Sequence, residues 1–226
     1  MQNLSHAVMA QRHESKESLD SFPTPPWATR TFLENTLGGK AALSDMTCLE
    51  PACGQGHMSK VLKEYFNSVD SSDIHNYGYG AVSDFTKTAF EPDSYDWVIT
   101  NPPFKLAENF IDLSLKIARH GVAMLTRTVF IESKGRFERL FSQNPPSSFA
   151  QYVERVPMVK GRLDRKASTA TGYGWLIWDK QKLGQTYLEW IPPSRKEFEL
   201  DSDYEDPTKV VSLNLPPNTV NGDLFK

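Results

Sequence analysis

Residues 95–100 form a short apolar run, Tyr-Asp-Trp-Val-Ile-Thr, that reads as a buried strand. The run stops at Asn101-Pro102-Pro103-Phe104, an amphipathic stretch follows at 106–118, and a second apolar run occupies 121–125. Strand, helix and strand in that order make a βαβ unit, which sets both strands parallel in one sheet with the helix across its face. Upstream, residues 46–50 read as a strand, and Gly54-Gln55-Gly56 breaks the chain before Met58, Val61, Leu62, Tyr65 and Phe66 recur at helical spacing. Further strands are expected at 69–74, 153–159 and 173–178, the last two flanking a polar, basic loop as an antiparallel pair. A short segment at 84–85 and a short helix at 136–141 complete the pattern. A helix that starts at Pro25-Pro26, carries Trp27, Phe32, Leu33 and Leu37 and ends at Gly38-Gly39 precedes them all. The alternation implies an α/β fold, a mostly parallel sheet with helices on both faces.

The 226 residues fit one such domain. Residues 1–20 are polar and lack a periodic apolar face, which predicts a flexible N-terminal arm; 21–194 carry the domain. Residues 195–226, with Asp201-Ser202-Asp203-Tyr204-Glu205-Asp206-Pro207, read as an acidic, loosely structured C-terminal tail. Cys48 and Cys53 stand five positions apart without metal-ligand or Cys-x-x-Cys spacing, so two reduced thiols and no metal are expected. The first 20 residues hold no apolar leader core and no run of 18 apolar residues occurs, which points to a cytoplasmic protein without a membrane partner. The net charge of -3 means that any contact with nucleic acid must come from a local basic surface.

Two consecutive prolines lack N–H donors and hold the chain extended, which leaves the carbonyls of Asn101 and Pro102 pointing outward. An amide oxygen and a free carbonyl can accept both hydrogens of an –NH2 group while Phe104 stacks on the ring that carries it. The plainer reading is that the prolines end a strand and Phe104 joins the core. A second ligand element, Glu50-Pro51-Ala52-Cys53-Gly54-Gln55-Gly56, sits where a strand feeds a helix, and glycines there let the backbone approach a ligand. Ser59 breaks the dinucleotide pattern Gly-x-Gly-x-x-Gly and no P-loop lysine is present, which disfavours NAD and ATP. Asp73, 19 positions after Gly54, is placed to accept hydrogen bonds from ribose hydroxyls.

Together these segments resemble the class I S-adenosylmethionine-dependent amino-methyltransferases. Asn101-Pro102-Pro103-Phe104 resembles their motif IV, and residues 49–56 resemble motif I, which cradles the amino-acid part of the cofactor. Ser71-Ser72-Asp73-Ile74 resembles motif II, with Ile74 on the adenine, and Asp84-Phe85 resembles motif III, whose acid accepts from the adenine amino group. Phe22-Pro23-Thr24-Pro25-Pro26-Trp27 resembles motif X, which closes over the methionine end. The order X, I, II, III, IV is kept over residues 22–104, and residues 121–127 resemble the following core strand. From Phe22 to about Trp178 the chain resembles small phage-type DNA N6-adenine methyltransferases. The resemblance implies a Rossmann-like, seven-stranded sheet with one antiparallel strand and S-adenosylmethionine as cofactor. It places that cofactor against Thr24, Pro25, Pro26, Trp27, Glu50, Pro51, Ala52, Cys53, Gly54, Gly56, Asp73, Ile74, Asp84, Phe85 and Asn101. It assigns catalysis to Asn101, Pro102, Pro103 and Phe104.

An exocyclic amine is a poor nucleophile, and acceptance of both its N–H groups at Asn101 and Pro102 favours a pyramidal nitrogen and offsets the growing positive charge. A base inside a duplex is out of reach of such a socket, so it must be flipped out or already unpaired. The expected acceptor is adenine N6 in DNA, in a bacterial or phage-infected cell, with phosphates met by Arg127, Lys134, Arg136, Lys160, Arg162, Arg165 and Lys166 beyond the strand ends. The plainer reading of each charge run is a solvated face. Only 17 positions separate Asp84 from Asn101 and 48 residues follow Trp178, which leaves no room for a target-recognition domain. Low or very short sequence specificity and a monomer or weak dimer are therefore expected. The alternatives are an RNA-base or protein-glutamine methyltransferase with the same core, or a catalytically silent relative that binds nucleic acid.

Overall fold

The computed structural model describes residues 21–182 and 184–204. The N-terminal arm expected at 1–20 and the part of the tail at 205–226 lie outside the described residues. In chain order the elements are α1 (Pro26–Thr36), α2 (Gly39–Leu43), β1 (Thr47–Glu50), α3 (His57–Tyr65), β2 (Ser68–Asp73), β3 (Ala81–Val82) and β4 (Tyr95–Thr100). They continue with α4 (Ala107–Ile117), β5 (Ala118–Arg127), α5 (Lys134–Arg136) running into a π turn at Phe137–Phe141, β6 (Ser148–Tyr152), β7 (Tyr173–Asp179), β8 (Tyr187–Ile191) and α6 (Arg195–Phe198).

The strands form one sheet in the order β3-β2-β1-β4-β5-β7-β6-β8. β7 runs antiparallel to both of its neighbours, and the other pairings are parallel. Among the described residues the sheet thus has eight strands where seven were expected, and keeps the single antiparallel strand. On β4, Trp97 and Ile99 face one core with Phe32, Leu33, Val61 and Leu62, while Val98 faces the other with Phe110, Ile111 and Leu140. Burial on both faces is why this strand reads as an unbroken apolar run. Gly121 on β5 makes room for Trp97: a Cβ there would stand 2.6 Å from the indole.

Helix α1 begins with Pro26 at its first position, where a missing N–H costs nothing, and ends at Gly38, whose φ of 83° is the left-handed conformation that glycine adopts freely. Its first eight residues are all buried. Arg30 is among them, donating to Glu64 at 2.7 and 2.8 Å and to both carboxylate oxygens of Asp203 at 3.0 Å. That triad ties α1 to α3 and to a 3-10 turn at Asp201–Tyr204, so residues 195–204, read as loose tail, are folded against α1. Three of its acids are paired: Asp203 with Arg30, Glu199 with Arg195 at 2.8 Å and Asp201 with Arg165 at 2.6 Å.

Two further differences concern the distal half of the sheet. The strand expected at 153–159 lies instead at β6, where Ser148, Ala150 and Tyr152 alternate into the core. Val156 and Met158 are buried at 1% and 8% exposure, but Pro157 brings no N–H donor and the segment is irregular, so its apolar residues close over other parts of the molecule instead of joining the ladder. β8 had no sequence signal because only Ile191 of its five residues is buried.

Candidate active site

The carboxyl ends of β1, β2 and β4 open into one cavity of about 320 Å³. This is the position where open α/β sheets place ligands. Its lining includes Thr24, Glu50, Pro51, Ala52, Cys53, Gly54, Asp73, Ile74, Asp84, Phe85 and Asn101-Pro102-Pro103-Phe104. Five separate segments singled out in the sequence therefore converge on one space.

Asn101 stands one residue past the end of β4. Its Nδ2 donates to the carbonyl of Phe22 at 2.9 Å and to Thr24 Oγ1 at 3.3 Å, with the sulfur of Met158 at 3.8 Å. A carbonyl can only accept, so the amide is fixed with Oδ1 as its accepting end. The Phe104 ring lies 5.8 Å from that of Phe22, and the Arg127 guanidinium sits 4.3 Å from the Phe104 ring centre.

At the other end, Gly54 and Gly56 have φ of 51° and 80°, and the turn they make is pinned by Asp73. One carboxylate oxygen of Asp73 accepts from the Gly54 N–H at 2.9 Å and the other from the His75 N–H at 3.0 Å. Each oxygen has a second lone pair for a ligand hydroxyl. Beside it Ile74 is 54% exposed, an apolar side chain left uncovered at the cavity wall. Glu50 is buried, takes a hydrogen bond from the Ser59 hydroxyl, and has its carboxyl pushed up to about 8, first by burial and then by the charge of Asp73. Burial also lowers His57 to about 4, so its imidazole is neutral at neutral pH.

Asp84 plays two structural parts. It lines the cavity, and it also closes a turn by accepting from the Thr86 N–H at 3.0 Å and the Thr86 hydroxyl at 2.6 Å, with Lys87 Nζ at 3.1 Å. Those bonds from Thr86 and Lys87 hold its carboxyl below the ordinary range. Phe85 is buried against Phe90 and Phe110, with centroids 5.6 and 4.8 Å away. Pro25, Pro26, Trp27 and Gly56 lie outside the lining. Pro25 and Pro26 start α1, Trp27 is a core residue at 1% exposure, edge-on to Tyr152, and Gly56 serves the turn by leaving space for the Tyr79 ring.

The cations expected to meet phosphate divide in two. Arg136 is engaged internally, donating to Glu108 at 3.2 Å and to the Phe130 carbonyl, because the Phe130 ring 3.9 Å away and Glu108 form a ready socket for a guanidinium. Arg165 is drawn to Asp201 and Glu199 of the folded tail segment, and Arg162 pairs with Asp164 at 3.1 Å. Lys134 and Lys166 are exposed. The loop carrying Lys160 is tied to the cavity rim through Gly161, whose N–H donates to the Ser21 carbonyl at 2.8 Å.

Sequence reasoning missed His57, Tyr77, Thr86 and Met158. The first three lie between recognised segments with no pattern of their own, and Met158 reaches Asn101 only through the tertiary fold. Among the described residues no helix is long and apolar enough to cross a membrane.

No protein-family model matches the sequence, and no curated protein matches it. Solved structures do share the fold. A candidate RNA methyltransferase from Pyrococcus horikoshii is 16% identical with a TM-score of 0.52, the match covering 74% of this chain and 90% of that one. The modification subunit of a candidate type I restriction enzyme from Vibrio vulnificus is 15% identical with a TM-score of 0.54, covering 78% of this chain and 48% of that one, so the match spans about half of the larger protein. A candidate class I S-adenosylmethionine-dependent methyltransferase from Listeria monocytogenes is 11% identical with a TM-score of 0.50, covering 79% and 68%. The architecture is the Rossmann-like methyltransferase fold, here with eight strands.

Proposed function

We propose that the chain transfers a methyl group from S-adenosylmethionine to the exocyclic N6 amino group of adenine in DNA, with low or very short sequence specificity. The observation that carries the reading is the fixed amide of Asn101. Its Nδ2 is held by Phe22 and Thr24, and its accepting end belongs to the same cavity as the glycine turn and Asp73.

The residues present fit the cofactor. Backbone at Gly54 allows close approach, Asp73 retains acceptor capacity for ribose hydroxyls, and Ile74 offers an apolar face to the adenine. When bound, S-adenosylmethionine supplies a methyl group already activated by its sulfonium. The protein's work is then to align the acceptor and exclude water. Asn101 Oδ1 and the Pro102 carbonyl accept the two N–H hydrogens of the amine and stabilise the positive charge that develops on nitrogen. Phe104 stacks on the base, and Arg127 backs that ring. The described residues beyond the sheet, α6 and the 3-10 turn, fold onto α1 and add no separate recognition face, which supports low specificity.

The test is transfer of labelled methyl to duplex DNA, single-stranded DNA, RNA and bulk protein side by side, followed by nucleoside and amino-acid analysis. N6-methyladenine in DNA is the expected product. Label confined to RNA or to glutamine would keep the chemistry and overturn the substrate; no label despite tight cofactor binding would favour a silent nucleic-acid-binding relative.

A further inference from the structure

A second cavity, of about 370 Å³, opens on the same edge of the sheet as the first. Its lining comes from the carboxyl ends of β6 and β8, the residue after β5 and the start of β7, so it sits alongside the site on the sheet's distal half. Consecutive residues at the end of β5 connect the two cavities. Arg127, whose guanidinium lies on Phe104 in the first, is followed directly by Thr128, which lines the second.

The chemistry of this cavity differs from that of an unfilled core. Trp190 projects from β8 beside Gln151 of β6 and is 64% exposed, while the other four tryptophans are between 0% and 6% exposed. A large flat ring left in water at the wall of a polar cavity is a stacking platform. Arg155 lines the same cavity from the β6–β7 connection, with Nη1 donating to the Ala170 carbonyl at 3.2 Å, one of the five bonds a guanidinium can make. Gly172 lets Arg155 and Thr128 come together: a Cβ there would stand 3.2 Å from Arg155 Nη1 and 2.9 Å from Thr128 Oγ1. The acid in the lining, Glu154, accepts the Arg195 N–H at 3.1 Å, which turns its charge toward the start of α6.

We infer that this cavity is a subsite for a nucleotide flanking the target on the same strand, its base stacked on Trp190 and its phosphate met by Arg155 and the Thr128 hydroxyl. The inference rests on the nucleic-acid reading of the first cavity. It explains how the described residues, which present no separate recognition face, hold a substrate: one base enters the first cavity, the strand passes Arg127 and Thr128, and a neighbouring base is parked on the indole. Stacking is tolerant of base identity, so the subsite adds affinity with little sequence preference.

The test is a titration of the full chain with a mixed-sequence single-stranded DNA oligonucleotide, repeated over a series of salt concentrations and read by tryptophan emission and by fluorescence anisotropy of a labelled strand. Because Trp190 is the exposed indole, quenching on binding reports it. Trp190→Phe is expected to abolish the quench and hold Kd within about twofold, whereas Trp190→Ala raises Kd about tenfold. Arg155→Gln is expected to weaken binding and reduce the salt slope by about one. A strand that binds the wild-type chain without quenching, and binds Trp190→Ala equally well, overturns the subsite and leaves the first cavity's reading intact. No binding by the wild-type chain overturns both. A concentration-dependent dimer that buries Trp190 and excludes the strand from it would assign the face to a second copy and overturn the inference.

Discussion

Asn101 Nδ2 donates to the carbonyl of Phe22 at 2.9 Å, joining positions 79 residues apart in the chain. The segment before α1 therefore does more than border the cavity. It selects which end of the Asn101 amide can accept, and Thr24 and Met158 close around the same nitrogen. In the proposed reaction the acceptor end of Asn101 is thus pre-set by the fold, which is the condition for electrostatic stabilisation without reorganisation.

Asn101→Ala is expected to lower methyl transfer by about 10²- to 10³-fold or more, with cofactor affinity near that of the wild-type chain. Asn101→Asp keeps two acceptors but faces one of them toward the Phe22 carbonyl, so it too is expected to be severely impaired. Steady-state transfer rates and cofactor calorimetry on the same preparations check both.

Asp73 holds the glycine turn by two backbone N–H groups. Asp73→Ala is expected to weaken cofactor binding and to destabilise the fold by about 1–3 kcal/mol, because both donors lose their acceptor. Calorimetric titration and urea denaturation separate the two effects. Unchanged cofactor affinity would remove Asp73 from the proposed contact.

Glu50 supplies a pH dependence. Its folded carboxyl titrates near 8 and its unfolded one near 4.5, so the folded state holds a proton that the unfolded state has lost over that window. Its contribution to stability is fully present below the unfolded value and is lost as pH rises toward 8, a change of a few kcal/mol in order of magnitude. Glu50→Gln is expected to flatten that slope in denaturation measured from pH 5 to 8. A cationic cofactor beside the carboxyl favours its ionised form, so binding near pH 7 is expected to release protons, seen as a dependence of calorimetric enthalpy on buffer ionisation.

How much was legible follows from what each element is made of. β4 declared itself because Trp97, Val98 and Ile99 are buried from both sides, and α1 because Pro26 and Gly38 mark its ends. The converging segments at Glu50–Gly54, Asp73, Asp84 and Asn101–Phe104 were readable because ligand contacts on an α/β sheet come from strand ends, which carry turn residues. β8 was not readable, since an edge strand with one buried residue has no period to detect. The folding of 195–204 was hidden because Asp203, Asp201 and Glu199 meet Arg30 and Arg165 only in three dimensions. Arg136 and Arg165 looked available for phosphate for the same reason.

Arg30→Ala is expected to destabilise the chain by about 3–5 kcal/mol, because it strands the buried carboxylate of Asp203. Asp203→Ala leaves Arg30 with Glu64 and costs less. Denaturation midpoints of the two variants give the comparison.

Gly121→Ala is expected to cost about 1–3 kcal/mol by driving a methyl group into the Trp97 indole, with a shift in near-ultraviolet circular dichroism from that ring. Gly54→Ala meets no atoms within 4 Å, and its cost comes from the backbone φ of 51°.

The most direct measurement is nucleoside mass spectrometry of unmethylated DNA after incubation with S-adenosylmethionine and either the wild-type chain or Asn101→Ala. N6-methyladenine is expected with the wild-type chain and none above background with the variant. Equal N6-methyladenine from both, or none from a wild-type chain that binds cofactor and DNA, would contradict the proposed reaction.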